Sequence, residues 1–241
     1  MNEEQLAEIR NYLLTKKLPI DILLEVQDHF ISQISDLMRD ESCDFKCAFD
    51  QVKEIWRSAL MPYWKGEMNL EDTSDFVRKI KKEINRTNLK AALLWGSIPV
   101  LLIAISAFVM PAKLFGLFTV VLLSALLLFT SVYYFRNFSD FKISKKYPTH
   151  VLTLHQDSVI IFFLFVGPLV SIFGEFIDNP EKIQKVMLLQ GSIFQFVSLF
   201  KFVMMLLPVA LVSYTCFYSL SAQKNYLRQI EKVKPFLKYL Q

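Results

Sequence analysis

Two long uncharged segments in the middle of the chain constrain its fold more than any other feature. Residues 91–110 read AALLWGSIPVLLIAISAFVM, and residues 114–135 read LFGLFTVVLLSALLLFTSVYYF. At about 1.5 Å per residue, a helix of roughly 20 residues covers the 30 Å of a bilayer's hydrocarbon core. Only three residues separate the two segments. The sequence therefore predicts two membrane-spanning helices that run antiparallel as a hairpin.

Two further apolar segments follow, at residues 159–177 and 202–220. Residues 181–201 lie between them and mix apolar and aromatic side chains with amides, a glutamate and three lysines. That mixture predicts a helix lying at the outer membrane interface. The predicted fold class is all-α: an integral membrane four-helix bundle that follows a small cytoplasmic helical bundle at the N-terminus.

Residues 1–72 are predicted to form an acidic domain of three amphipathic helices. Asn2 can cap the first helix, and Pro19 fits the first turn of the second. Apolar side chains recur at helical spacing along each helix. Those of the second and third helices are Leu23, Val26, Phe30, Ile34, Leu37, Ala48, Phe49, Val52, Ile55, Trp56 and Ala59. Such a small domain is marginal alone, so we expect it to pack against membrane-proximal helices or another copy.

The other face of the second helix is polar. Its carboxylates and amides are Asp21, Glu25, Gln27, Asp28, Gln33 and Asp36. These side chains are expected to face solvent, as the polar stripe of an amphipathic helix does.

Basic side chains concentrate just outside the apolar segments. Residues 73–90 are predicted to form a juxtamembrane helix, and residues 78–90 hold six Lys or Arg against one Glu. Residues 221–241 are predicted to form a basic amphipathic cytoplasmic tail. Both segments suit anionic lipid headgroups, and this charge pattern argues for a lipid surface rather than nucleic acid as the partner.

The Lys and Arg count predicts the orientation of the four spans. One side carries 6 in residues 78–90, 4 in residues 136–158 and 5 in residues 221–241, which makes 15. The other side carries Lys113, Lys182, Lys185 and Lys201, which makes 4. Because cytoplasmic loops are enriched in Lys and Arg, both termini are predicted to be cytoplasmic.

The predicted spans hold few groups that could carry chemistry. No Asp, Glu, Lys, Arg or His lies deep in any of them, whereas a coupled transporter usually buries one. Glu175 and Lys201 come nearest, and we expect them to face each other at the outer interface. Ordinary interfacial anchoring of each residue is the alternative.

Pro99, Pro168 and Pro208 lie inside three of the spans. Broken helices build substrate sites in transporters, but membrane helices also tolerate proline without such a role. Two groups of small residues permit close helix contact, either within the bundle or across a dimer face. These groups are Ala92 with Gly96, and Gly167 with Ser171 and Gly174.

The three cysteines, Cys43, Cys47 and Cys216, are predicted to be free thiols. Cys43 and Cys47 supply at most half of a zinc site, since zinc takes about four ligands at defined spacing. The sequence therefore predicts no metal site, no cofactor and no catalytic residue.

Residues 18–56 carry a resemblance to a known module. Leu18-Pro19 precedes a helix with Glu25, Asp28 and His29, and a later helix opens with Ala48-Phe49. This pattern resembles the HAAS-type helical signalling module of bacterial membrane proteins. The chain lacks the glycine usual in the intervening turn and has Glu41-Ser42-Cys43 there. The resemblance implies a cytoplasmic module for sensing, regulation or protein contact on the bacterial inner membrane, and it implies no catalytic residue.

Three functions remain open from the sequence. The favoured one is a non-enzymatic membrane protein whose residues 1–72 regulate or bind a protein partner, or self-associate. A small channel or transporter subunit is the alternative, and a membrane enzyme is the third. A dry, Phe-packed bundle favours the first, and a water-filled path favours the second.

Overall fold

The computed structural model describes residues 1–40, 43–63, 73–189 and 195–240, and these residues are all-helical, without strands. They form nine α-helices: α1 (Glu3–Leu14), α2 (Ile20–Asp40), α3 (Phe45–Leu60), α4 (Asp75–Val109), α5 (Ala112–Arg136), α6 (Phe138–Phe141), α7 (Val166–Asp178), α8 (Pro180–Met187) and α9 (Gln195–Val233). Short 3₁₀ helices cover Lys142–Lys146, Gln156–Ser158, Ile161–Phe165 and Lys234–Tyr239.

Four helical stretches are long and apolar enough to cross a membrane, as the sequence predicted. They are Asp75–Val109, Ala112–Arg136, Gln156–Asp178 and Leu199–Tyr239. Many of their large apolar side chains are exposed, with Phe108, Val109 and Leu164 each more than 70% accessible. Exposed apolar side chains on such helices suit a lipid solvent, so the chain has the composition of a multi-pass membrane protein.

The predicted juxtamembrane helix and first span form one continuous helix, α4, which passes through Pro99, and this continuity was expected because no residue before Pro99 interrupts the helical pattern. The helix bounds differ from the expected ones at two places. The third apolar segment begins as the 3₁₀ helix Ile161–Phe165 and becomes α-helical only at Val166. The segment expected at the outer interface is divided, because α8 ends at Met187 and α9 already begins at Gln195. Residues 190–194 lie outside the described part of the chain.

The described chain divides into two compact units. Unit 1 contains Met1–Asn85, Lys142–Gln156 and Tyr226–Gln241. Unit 2 contains Arg86–Phe141 and Asp157–Asn225.

Contacts inside unit 2 show that its long helices alternate in direction. Near one end, Asn88 of α4 accepts a hydrogen bond from Ser221 of α9 at 2.8 Å. Near the other end, the Phe115 ring of α5 meets that of Phe176 in α7, with centroids 5.7 Å apart. The core between these contacts is apolar and includes Phe115, Phe162, Leu123, Phe176 and Val212.

Two glycines set how closely the helices of unit 2 approach. A Cβ on Gly96 would lie 2.5 Å from Cδ1 of Tyr214, and the Gly96 carbonyl accepts a hydrogen bond from Ser213 at 2.7 Å. A Cβ on Gly116 would overlap the backbone oxygen of Phe176. Around Gly167 and Gly174, by contrast, the space for a Cβ is open. Of the two groups of small residues, only the group of Ala92 and Gly96 has a glycine that packs against another helix.

We expect Gly116→Ala to destabilise unit 2 by about 1–3 kcal/mol, because the backbone of Phe176 cannot give way as a side-chain tip can. Gly174→Ala is the matched control, since its methyl group meets no neighbour and alanine favours helix. Thermal unfolding of both variants in detergent measures the difference. Equal melting temperatures for the two variants would contradict this account of the α5–α7 contact.

Side-chain caps begin α1 and α3 of unit 1, and one apolar stripe of α2 is buried. The Asn2 side chain accepts from the Gln5 amide, and Asp44 caps α3 by accepting from the Cys47 amide. The apolar stripe of α2 is buried, with Leu23, Val26, Phe30 and Ile34 all at 0% exposure. On α3, however, Ile55 is 66% exposed while Leu60, which was not assigned to the stripe, is fully buried.

Unit 1 is larger than the domain predicted over residues 1–72. It also contains a segment that follows the second span and another that ends the chain. The Arg10 guanidinium of α1 lies 3.5 Å from the centre of the Tyr239 ring, a cation–π contact. The need for extra packing partners was expected, because about 60 residues bury too little apolar surface alone. The start of α4, up to Asn85, is a membrane-proximal partner of the expected kind, whereas the segments Lys142–Gln156 and Tyr226–Gln241 were not expected.

Candidate functional site

The site with the most unusual chemistry in unit 1 lies where α2 begins. Pro19 occupies the N-cap position, since its carbonyl accepts the Leu23 amide at 2.8 Å. Proline has no side-chain oxygen with which to cap a helix, so the first amides of α2 need other acceptors. Residues 151–154 and the side chain of Asp21 supply them, as the following distances show.

Two backbone carbonyls from residues 151–154 cap the helix. The Ile20 amide donates to the Val151 carbonyl at 2.9 Å, and the Asp21 amide donates to the Leu152 carbonyl at 3.2 Å. The Asp21 carboxylate supplies the rest: Oδ1 accepts the Ile22 amide at 3.0 Å, and Oδ2 accepts the Leu154 amide at 3.2 Å. We call this set of four hydrogen bonds the α2 tie.

Asp21 is buried, although the sequence placed it on the polar face of α2. Its exposed fraction is 6%. Burial raises the pKa of Asp21 to about 7, and the charge of Glu25 adds to the rise, whereas the amides of Leu154 and Ile22 act in the opposite direction. A carboxyl group that titrates near neutral pH therefore lies at the centre of the α2 tie.

The polar face of α2 forms one wall of a shallow cleft of about 240 Å³. The cleft is lined by Asp21, Leu24, Glu25, Asp28, Gln229 and Lys232. Two residues of the predicted motif, Glu25 and Asp28, thus lie with Asp21 along one wall, and the C-terminal part of the chain forms the other. Ionising Asp21 places a third negative charge on a wall that already holds two carboxylates.

The third residue of the motif points elsewhere. The His29 ring stacks on the Trp56 ring of α3, with centroids 6.2 Å apart, and Trp56 donates to Gln33 at 2.9 Å. His29 is therefore part of the α2–α3 contact.

A second buried titratable group follows the α2 tie in sequence. His155 is 5% exposed, and its Nδ1 has no hydrogen-bond partner in the described part of the chain. Burial lowers the pKa of His155 to about 4, and the positive charge of Arg228 acts in the same direction. His155 is therefore neutral at physiological pH.

The predicted outer pair is exposed on two helices. The Glu175 carboxylate of α7 accepts a hydrogen bond from the Asn179 side chain at 3.4 Å. Lys201 lies on α9, and the ion pairs among the described residues do not join it to Glu175. The functional pairing of these two residues stays a prediction.

The three cysteines are free thiols in the structure. Cys43 donates to the Leu37 carbonyl at 3.8 Å, and Cys47 accepts from Gln51 at 3.5 Å. The described residues contain no group of three or more His, Cys, Asp or Glu that could hold a metal ion.

Residues 151–154 were missed because they were taken as part of a polar loop. In their sequence, VLTL, three residues are apolar and two are β-branched, a composition typical of a buried extended segment rather than a solvated loop. Leu152 and Thr153 are fully buried. An extended apolar run inside a polar loop was therefore the available signal that the loop packs onto something.

The α2 tie contains no nucleophile paired with a base. Its chemistry is limited to holding a proton at Asp21 and to joining segments that are more than 130 residues apart in sequence. Comparison with known protein families, curated proteins and solved structures finds no match for this chain. The resemblance to the HAAS-type module rests on the residues quoted for it and stays a prediction.

Asp21 and His155 should affect the stability of the tie with opposite pH dependence. Asp21 has a raised pKa in the folded state, so its contribution is complete below about pH 4 and is lost as pH rises towards 7. His155 has a lowered pKa, so its contribution is complete above about pH 6.5 and is lost as pH falls towards 4. We expect these two contributions to cancel in the wild type. The free energy of opening the α2 tie should then change by less than about 1 kcal/mol between pH 4.5 and 6.5.

Substituting either residue alone should reveal how the other one makes the stability of the α2 tie depend on pH. In Asp21→Asn the tie should weaken by about 2 kcal/mol on acidification from pH 6.5 to 4.5, and in His155→Gln it should strengthen by a similar amount. Hydrogen exchange of the residue 151–156 amides, corrected for intrinsic rates, measures both. A wild type as pH-dependent as either variant, or slopes of the same sign, would show that these two groups do not govern the tie.

Proposed function

We propose that this chain is a non-enzymatic integral membrane protein of the bacterial cytoplasmic membrane, with unit 1 as a cytoplasmic regulatory or protein-interaction module. The observation that carries the proposal is that unit 1 is built from three separate segments of the chain. Its three segments adjoin the apolar stretches at the start of α4, after α5 and at the end of α9. A module built from all three is joined directly to the membrane helices, as a regulatory module must be if it is to act on them or report their state.

Contacts between these segments also support the proposed orientation. Segments that contact one another in a folded unit lie on one side of a membrane. The tie joins α2 to residues 151–154, and Arg10 contacts Tyr239 near the other end of the chain. These contacts agree with the Lys and Arg count, which favours the cytoplasm for both termini.

The interior of unit 2 favours this function over a channel or transporter. Its described core is apolar, and its buried hydroxyl groups donate to nearby carbonyls, as Thr119 does to Phe115 at 2.9 Å. No Asp, Glu, Lys, Arg or His side chain is buried among the described residues of unit 2. Ion coupling in transporters usually depends on such a group.

Thiol labelling tests the orientation. We prepare full-length chains with a single cysteine, either the native exposed Cys47 or Lys113→Cys in the first turn of α5. A membrane-impermeant maleimide added to intact cells should label the cysteine at position 113 and leave Cys47 unlabelled until the membrane is opened. Labelling of Cys47 from outside would contradict a cytoplasmic unit 1.

Affinity purification in mild detergent tests the interaction module. Ile55 is a large apolar side chain exposed on α3, so a partner of unit 1 is expected to cover it. Ile55→Glu should lower recovery of a specific co-purifying protein by about tenfold, whereas Ser58→Glu, an equal charge on an exposed position of the same helix, should not.

Two results would reject the proposal in favour of the alternative. One is recovery that is insensitive to Ile55→Glu, and the other is ion or solute flux in proteoliposomes containing only the purified chain. If the purified chain does conduct, substitutions confined to unit 1 that abolish the flux would identify unit 1 as a regulator of a channel.

A further inference from the structure

The end of unit 2 where α4 enters and α9 leaves carries a set of exposed cations. They are Arg86 and Lys90 of α4, Arg136 at the end of α5, and Lys224 of α9. None of the four forms an ion pair with another described residue. Two acidic residues of unit 2 lie at this end, Asp140 and the exposed Asp157, and the exposed Glu83 precedes Arg86 by one turn of α4.

A layer of buried hydrogen bonds fixes the positions of these cations. Asn88 is 1% exposed, and its Oδ1 accepts from Ser221 at 2.8 Å and from the Asn225 side chain at 3.2 Å. Next to it, the Gln223 side chain donates to the Val159 carbonyl at 3.0 Å. Lys90 and Lys224 therefore lie on two helices, α4 and α9, that buried hydrogen bonds join close to both lysines.

The surface of α4 changes from charged to apolar within one turn. Lys90 is followed by Leu93, Leu94 and Trp95, which are 47%, 67% and 55% exposed. Leu94 and Leu101 continue the face of Lys90 at spacings of four and seven, and Leu101 is 59% exposed. At about 1.5 Å per residue, Leu94 lies roughly 6 Å and Leu101 roughly 16 Å beyond Lys90 along the helix.

From this juxtaposition we propose that Arg86 and Lys90 bind the headgroup of an anionic phospholipid whose acyl chain lies along Leu94 and Leu101. Glu83, one turn before Arg86, offsets only part of the charge here, because residues 78–90 hold six Lys or Arg against this single acidic residue. A cation pair directly above an exposed leucine row is complementary to a negative headgroup above a hydrocarbon chain. A soluble phosphate would use only the upper half of this surface.

The other end of unit 2 offers a matched control. Lys182 and Lys185 of α8 are also exposed and lie three residues apart, but Asp178 and Glu181 stand beside them. Removing either pair of cations changes the net charge of the chain by the same amount. A general loss of positive charge therefore cannot mimic loss of the Arg86–Lys90 surface.

Native mass spectrometry of the full-length chain in a neutral detergent tests the proposal, with phosphatidylglycerol and phosphatidylcholine of the same acyl chains as probes. The wild type should bind phosphatidylglycerol more tightly. Arg86→Gln with Lys90→Gln should weaken that binding by roughly 10- to 30-fold, at about 1 kcal/mol per cation, and leave phosphatidylcholine binding unchanged. Lys182→Gln with Lys185→Gln should change neither.

Two further measurements guard against loss of folding. The exchange Arg86→Lys with Lys90→Arg retains both charges and should retain the preference for phosphatidylglycerol. Glycerol phosphate, which has the headgroup charge without acyl chains, should not displace the lipid. Equal losses in the two glutamine pairs, no preference in the wild type, or displacement by glycerol phosphate would each overturn the proposal. The inference rests on the membrane embedding of unit 2 and not on a protein partner, so its failure leaves the Ile55 experiment unaffected.

Discussion

The capping of α2 by a distant segment is the interaction on which unit 1 depends. A helix that begins after Leu18-Pro19 has no side-chain cap of its own, and its first amides would otherwise be unpaired. The carbonyls of Val151 and Leu152 and the carboxylate of Asp21 pair them. An unpaired buried amide costs about 1–3 kcal/mol, so several such bonds together match a large part of the stability of a small unit.

The same interaction explains the chemistry of the site. To reach Leu154, the Asp21 side chain must lie beneath residues 151–154, and that position removes it from water. The desolvated carboxyl then keeps its proton to near neutral pH. Its raised pKa is thus a consequence of the capping geometry and needs no separate catalytic explanation.

Much of the fold follows from the sequence, because lipid demands long apolar helices and their pattern is direct. The four apolar stretches, the cap at Asn2, the end of α3 before Pro62 and the α2 stripe from Leu23 to Ile34 all follow from periodicity and residue type. The burial of Asp21 does not, since a carboxylate on a polar face looks the same whether water or another segment covers it. The early start of α9 at Gln195 also escapes prediction, because Lys201 interrupts the hydropathy without interrupting the helix.

Unit 1 is discontinuous in sequence, and this feature has a consequence for how the protein is made. Synthesis runs from the N-terminus, so α2 leaves the ribosome more than 100 residues before its capping carbonyls do. Tyr239, which contacts Arg10, follows it by more than 200 residues and emerges correspondingly later. The first helices therefore lack these packing partners while the apolar stretches are inserted into the membrane. A nascent chain arrested before residue 226 would expose the apolar surface that Ile230, Val233 and Phe236 bury against, and quality-control proteases could recognise that unfinished state.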